Sequence, residues 1–243
     1  MRLTVFDVTG RMAHFRKHFS TTTSMTYRFP PRTTIAGLVA AVLGMDRGSY
    51  HALFSSANLK VALQVLARVR VTMVGVNYLF IKESSPSEFM GRRGRTPVKL
   101  ELVLPEDGEA LRYRIFLHHV DPQVHERIGS CLRSRLFAYP PALGPAFCHA
   151  SIEYVGEVEA EPLSPGAAAE VCTVMPASAV ELHPVIGAAG LVEESVQSDF
   201  SEGGRWVARI ENYLFSYSPV AVTLKAEGFR CTVDGREVQG VFM

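Results

Sequence analysis

In Leu59-Lys60-Val61-Ala62-Leu63-Gln64-Val65-Leu66-Ala67-Arg68-Val69-Arg70-Val71-Thr72, the apolar Val61, Leu63, Val65, Val69 and Val71 alternate with Lys60, Gln64, Arg68, Arg70 and Thr72. Side chains of an extended chain point alternately to opposite sides, so this period of two predicts a half-buried strand with one apolar and one basic face. The extended signal runs on to Ile81. Ordinary strands hold about 3–10 residues, so a bend near Gly75 or a ribbon projecting from the sheet is expected. A basic loop over 82–97 follows, and 98–104 and 111–118 read as two strands around Pro105-Glu106-Asp107-Gly108.

Upstream, Leu3, Val5 and Val8 mark a first strand ending at Thr9-Gly10. A loop over 11–32, rich in Arg, His, Ser and Thr, closes on Phe29-Pro30-Pro31, whose prolines enforce an extended approach. Thr33 or Thr34 is placed to cap a helix over 35–43, with Gly44 in the stop position. Downstream, Asp121 as N-cap and Pro122 at the first helical position open a second helix with Val124, Ile128 and Leu132 on one face. It ends before Tyr139-Pro140-Pro141, and 147–159 is again strand-like.

The resulting order β, α, β, β, α, β with one inserted hairpin predicts an α+β, ferredoxin-like (RRM-like) domain. Two helices would cover one sheet face and leave the other free to bind. The expected organisation is a 1–160 domain with a protruding β-hairpin thumb at about 76–104, then a smaller β-rich subdomain over 161–243.

The 243 residues are 47% hydrophobic and 20% charged, which excludes a mainly disordered chain. The strongest apolar run, 35–45, is far short of the roughly 20 residues of a membrane-spanning helix. Asp7, Arg11, His14, Arg16 and Lys17 interrupt the start, where a secretory signal would be continuously apolar, so a cytoplasmic protein without a membrane partner is expected. Cys131, Cys148, Cys172 and Cys231 form no C-x-x-C pair and are read as reduced structural thiols, with no metal and no cofactor.

Residues 1–135 carry 20 Lys and Arg against 10 Asp and Glu, whereas 136–204 carry 10 acidic residues and no Lys or Arg. Such asymmetry points to a polyanion on one face; the competing reading is two oppositely charged parts packed together. Gly91-Arg92-Arg93-Gly94-Arg95, flanked by Lys82 and Lys99, is the densest cationic cluster and suits phosphate rather than burial. His14 and His18 have i, i+4 spacing, but their Ser/Thr-rich setting favours RNA contact over a helical metal site. P-loop, nucleophile-elbow and dinucleotide fingerprints are missing, as is the aromatic motif of ordinary RNA-recognition domains.

Gly10-Arg11-Met12-Ala13-His14-Phe15-Arg16-Lys17, then Ser24-Met25-Thr26-Tyr27-Arg28-Phe29-Pro30-Pro31-Arg32-Thr33-Thr34-Ile35-Ala36-Gly37-Leu38, resembles the CRISPR-associated Cas5 family. Met45-Asp46-Arg47-Gly48-Ser49-Tyr50 resembles its type I-B branch. The resemblance implies a subunit of the surveillance (Cascade) complex that grips the 5′ repeat-derived handle of CRISPR RNA and caps the backbone filament. The thumb, here the 82–99 region, would reach toward the adjacent backbone subunit; the large subunit would be a further neighbour, and target DNA an indirect partner through the complex. RNA contact is thereby assigned to Arg11, His14, Arg16, Lys17, Tyr27, Arg28 and Arg32, alongside Lys82, Arg92, Arg93, Arg95 and Lys99. Phe29, Pro30, Pro31 and Gly37 are assigned to shape.

One branch of that family, in type I-C systems, cuts precursor CRISPR RNA without metal through an arrangement resembling Tyr, Lys and His. Aligned on Pro30-Pro31 and Gly37, the tyrosine position falls near Leu43, and no lysine precedes the candidate imidazoles of His118 and His119. A small-molecule enzyme on the same scaffold would need a concave site with converging polar groups. The expectation is a non-catalytic RNA-binding subunit, with a metal-independent endoribonuclease using His118 and His119 as the alternative.

Overall fold

A computed structural model describes residues 1–20, 23–182, 190–200 and 207–243. The chain runs through β1 (Arg2–Gly10), the short β2 (Phe15–Arg16) and β3 (Thr26–Tyr27), α1 (Arg32–Val42), β4 (Leu59–Val65), β5 (Val69–Leu79), the single-turn α2 (Pro86–Phe89), β6 (Arg95–Pro105), β7 (Leu111–His119), α3 (Pro122–Ser134) and β8 (Ala150–Glu159). There follow β9 (Glu161–Leu163), β10 (Ala168–Val171), β11 (Met175–Pro176), β12 (Val180–Leu182), β13 (Val192–Phe200), β14 (Val207–Phe215), β15 (Val220–Leu224), β16 (Gly228–Val233) and β17 (Arg236–Val241). The protein is α+β and mostly strand.

Four strands form an antiparallel sheet in the order β4-β7-β1-β8. The period of two in β4 has its expected effect: Val61, Leu63 and Val65 are buried in one core with Phe6, Val8 and the apolar side of α1, Ile35, Ala36 and Val39. Lys60 emerges on the opposite side, where its ammonium lies 5.4 Å from the Phe242 ring centre and 3.7 Å from Glu227. α3 is capped as its sequence predicts, Asp121 accepting from Gln123 N–H at 2.8 Å, with Ile128 and Leu132 buried.

Several expectations need correction. α1 starts at Arg32, directly after Pro31, and neither Thr33 nor Thr34 caps it. The Pro31 carbonyl already accepts from Thr34 and Ile35 N–H, so the fixed proline backbone starts the helix without a side-chain cap. The long extended signal breaks at 66–68, not at Gly75: β5 leaves the sheet and pairs only with β6, from Val69 opposite Pro105 to Leu79 opposite Arg95. β6 therefore folds back on β5 instead of forming a hairpin with β7, which lies between β4 and β1. The ribbon has its tip over 80–94, and 82–97 is not all loop, since it holds α2 and the start of β6.

The second face of the sheet is not free. Leu3, Val5, Ala62 and Phe116 pack against Phe229, Cys231, Val233 and Val238 of a six-stranded sheet ordered β12-β15-β10-β17-β16-β9, with the Phe116 and Phe229 rings 5.6 Å apart. A third sheet, β11-β14-β13, covers the helix side, where Phe29 meets Phe215 at 5.3 Å. The region after residue 160 thus closes over both sides of the first sheet, because each side carries large apolar residues that water disfavours. All four cysteines are free, and burial pushes the Cys148 and Cys231 thiols up to about 11, which keeps them protonated and structural.

Candidate nucleic-acid interface

Gly10 ends β1 opposite Leu111 and Ala150, so three segments leave the same end of the sheet: the loop after β1, the root of the ribbon, and the 135–149 connection. They are stitched together. Ala13 exchanges two backbone hydrogen bonds with Val103, at 3.0 and 2.8 Å; Ser24 N–H donates to Lys99 O and Ser24 O accepts from Glu101 N–H. Thr26 N–H donates to the Glu101 carboxylate at 2.9 Å.

His14 N–H donates to Leu143 O, and its Nδ1–H donates to Glu101 O at 2.8 Å. Burial lowers the His14 pKa, outweighing the carbonyl that favours the charged ring. Gly144 has φ +105°, and a Cβ there would lie 2.0 Å from His14 O, so only glycine allows this approach. Between these segments lies a cavity of about 540 Å³ whose wall includes His14, Arg16, Ser24, Tyr78, Leu100 and Pro145.

The expected RNA-contacting residues separate into two groups. Arg11 and Arg16 are exposed, and Arg16 also donates to Ser20 O at 3.0 Å. Lys82, Arg92, Arg93, Arg95 and Lys99 are exposed on the ribbon. Arg93, itself half-exposed, lies 3.9 Å from the exposed Glu83, where a pair contributes little, and 3.8 Å from the buried Glu88, which is held instead by backbone N–H groups of Glu83 and Ser85. Burial would raise the Glu88 pKa, but the backbone N–H groups of Ser85, Glu83, Lys82 and Ser84 lower it, so this carboxylate holds the turn together.

The second group faces inward, against expectation. Arg32 is 1% exposed and donates to Phe54 O, Leu59 O and Asp199. Tyr27 is buried, its hydroxyl 2.7 Å from His18 Nδ1 and its ring under Lys17. Lys17 pairs with Glu194 at 3.4 Å; Arg28 meets the same carboxylate through its backbone N–H at 3.3 Å, while its side chain stays 41% exposed and so is not turned inward with the rest. Glu194 is so enclosed that burial raises its pKa despite Lys17 and Arg28. His14 is also buried, at 5% exposure. Lys17 and Arg32 are taken up by Glu194 and Asp199 of β13, the acidic strand, so part of the charge division is the packing of opposite charges within the fold.

His118 and His119 lie opposite Lys60 and Leu59, at the other end of β4 from the ribbon. Six residues at about 3.3 Å each put roughly 20 Å between the two ends. His119 accepts from Asp121 N–H at Nδ1 and contacts Leu53 O through Nε2, so both ring nitrogens are engaged; His118 Nδ1 meets Arg2 O at 2.9 Å. Leu43 is buried.

Tyr78, Ser24, Gly144 and Pro145 were not among the sequence candidates; the one local signal was the run Tyr78-Leu79-Phe80-Ile81, too apolar for a solvated ribbon and exposed throughout. Also unforeseen is Asp7, fully buried, which accepts from Arg112 and Arg114 at 2.6–3.1 Å, while Arg114 reaches Asp234 at 3.0 Å and so ties the two sheets. Among the described residues no group of three or more His, Cys, Asp or Glu is arranged to hold a metal, and no helix is long and apolar enough to cross a membrane.

A family model described as CRISPR-associated protein (Cas_Cas5) matches residues 4–181. That is most of the chain, and the protein belongs to the Cas5 family of CRISPR-associated proteins. A crystal structure of a CRISPR protein from Archaeoglobus fulgidus has the same fold, with a TM-score of 0.60 at 18% identity over 99% of each chain. Similar too are a chain of a CRISPR RNA-guided surveillance complex (TM-score 0.46, 15% identity, 98% of this chain and 91% of that one) and a Cas protein (0.48, 13%, 92% and 95%). No curated protein matches the chain.

Proposed function

We propose that this Cas5-family chain is a non-catalytic subunit of a type I CRISPR surveillance complex, of the I-B kind. It binds the 5′ repeat-derived handle of CRISPR RNA and caps the backbone filament. The observation that carries the reading is the ribbon: Lys82, Arg92, Arg93, Arg95 and Lys99 are exposed on it, and its root is hydrogen-bonded to the loop that bears Arg11 and Arg16. Guanidinium and ammonium groups on a projecting, glycine-containing element suit the phosphates of a curved single strand.

The strand order β8-β1-β7-β4, with α1 following β1 and α3 following β7, supports a ferredoxin-like reading of the first sheet. Because its second face is covered, RNA meets loops and ribbon, not a base-stacking sheet. The ribbon extends toward the neighbouring backbone subunit, the large subunit is a further partner, and target DNA is reached only through the assembled complex, in the cytoplasm.

The test is binding of the purified full chain, alone and in the assembled complex, to single-stranded RNA carrying the host repeat's 5′ handle. Affinity is expected to fall steeply with salt, the slope of log affinity against log salt gaining roughly 0.7 per phosphate neutralised. Salt-independent binding, or none in either setting, overturns the reading. The non-catalytic part rests on the buried Leu43 where the nuclease branch has its tyrosine, and on His118 and His119 lying away from the cationic end. A specific cut of labelled repeat RNA in chelator, lost in His118→Ala, would transfer the chain to the endoribonuclease alternative.

A further inference from the structure

We infer that Glu194 couples RNA binding to proton uptake: its carboxylate holds Lys17 in the free protein, yields Lys17 to a phosphate when RNA binds, and takes a proton from water in its place. The inference rests on the RNA-binding reading above and adds to it a control over the loop after β1.

Glu194 lies on β13 with its side chain 7% exposed. Among the described residues the cations that face it are Lys17, 3.4 Å from Oε2, and Arg28, whose Nε is 4.0 Å from Oε1. Both belong to the segment between β1 and α1 that also carries the exposed Arg11 and Arg16. The positive charge that balances this enclosed carboxylate therefore comes from the RNA-facing segment and not from the core. The other titratable groups around it are phenols: Tyr27, hydrogen-bonded to His18; Tyr113, which donates to Arg28 O at 2.9 Å; and Tyr213, opposite Glu194 in β14. Burial, first among the causes, raises the pKa of all three, so they stay neutral and bring no positive charge.

The hold on Lys17 is loose. Arg28 N–H reaches Oε1, but no hydrogen bond reaches the buried Oε2, and the Lys17 ammonium also faces the Tyr27 ring, 5.4 Å from its centre. An enclosed carboxylate that is incompletely paired favours its neutral form, and burial does raise the Glu194 pKa against the pull of Lys17 and Arg28. A phosphate at the loop surface offers the ammonium a charge-assisted bond without that enclosure. Once Lys17 turns to it, the carboxylate left behind is harder still to keep as an anion, so it binds a proton. The RNA-bound state then carries more protons than the free state, and affinity rises as pH falls, by at most about tenfold per pH unit for one proton.

The experiment uses the full chain and single-stranded RNA carrying the host repeat's 5′ handle. Affinity is measured from about pH 8 to about pH 5, and proton uptake is read by titration calorimetry in two buffers of different ionisation enthalpy. Histidines common to every variant contribute alike, so differences between variants isolate Glu194. The parent should gain affinity more steeply on acidification than Glu194→Gln and take up as much as about one proton more. Glu194→Gln has no charge with which to hold Lys17 and should match or exceed the parent's affinity at about pH 8. Lys17→Met, which keeps the apolar stem, should show the same reduced uptake with weaker binding throughout.

If both variants bind RNA and take up as many protons as the parent, the exchange is wrong and the RNA reading stands. If Glu194→Gln binds more weakly than the parent by the same factor at every pH, the carboxylate only fastens the loop and the inference fails. Should Glu194→Gln not fold, Lys17→Met decides alone: reduced uptake supports the exchange and parent-like uptake overturns it. If the unsubstituted chain binds no RNA, alone or in the assembled complex, both readings fail together.

Discussion

The guanidinium of Arg32, 1% exposed, donates to the Asp199 carboxylate at 3.1 Å across 167 residues of sequence. The same group donates to Phe54 O at 2.8 Å and Leu59 O at 3.1 Å, while Asp199 accepts from Ser56 through both its N–H and its hydroxyl. An arginine at the start of α1 therefore fastens β13 to the segment before β4.

Arg32→Met is expected to destabilise the protein. Removing one member of a buried ion pair costs about 3–5 kcal/mol, and Asp199 keeps Ser56 and some solvent, so roughly 2–3 kcal/mol is expected here. Urea unfolding measures it, with RNA affinity of the folded protein unaltered. Unchanged stability with lost RNA affinity would return Arg32 to the RNA surface.

The ribbon arginines should behave in the opposite way. Each exposed Arg→Ala change alters stability by no more than about 0.5 kcal/mol, whereas a charge-assisted bond to phosphate contributes roughly 1.5–3 kcal/mol. The Arg92→Ala, Arg93→Ala, Arg95→Ala triple variant should melt within about 4 °C of the parent and bind handle RNA at least roughly tenfold more weakly. Early melting would make the cluster structural, and full RNA occupancy in an assembled complex would remove it from the interface.

Stability should also fall on mild acidification through His125. Its Nδ1 accepts from His119 N–H and its Nε2 meets Thr4 Oγ1, both at 3.2 Å. Burial first, then the charge of Arg2 and the nearness of His118, lower its pKa to about 4 from 6.5. The unfolded chain then binds this proton below about pH 6.5 while the fold resists it, so stability is intact above that pH and drops as pH falls toward 4. The loss is of the order of 1–2 kcal/mol after solvent screening. Denaturant midpoints between pH 7 and 4 should fall more steeply for the parent than for His125→Gln; equal slopes would refute this.

What could be read from the sequence was local. Alternation in β4, the Asp121-Pro122 start of α3 and the Gly44 stop of α1 each depend on neighbours within a few residues, and all appear in the structure. What escaped depends on distant partners. Phe229 and Cys231 carry no mark that assigns them to Leu3 and Val5, and Arg32 in sequence resembles Arg16 although one is buried and the other exposed. The helix start failed for a local reason: two prolines outweighed the threonines behind them. At the interface, cations were legible as charge, but which of them faced Glu194 and Asp199 was decided by β13.

The position of β1 bears on how the protein is made. Val5 is paired with Phe116 on one edge and with Gly156 on the other, so β1 is flanked only by strands made much later than itself. At about 5–20 residues per second, synthesis of the roughly 150 residues from β1 to β8 takes about 8–30 s. During that interval Phe6 and Val8 have α1 to pack against, but Leu3 and Val5, whose cover comes from Phe229, Cys231 and Val238, have none, and sheet closure must await a long loop. Nascent chains halted before β8 are thus expected to need a holding chaperone, and slower elongation just after residue 159 would give the central strand time to find both neighbours.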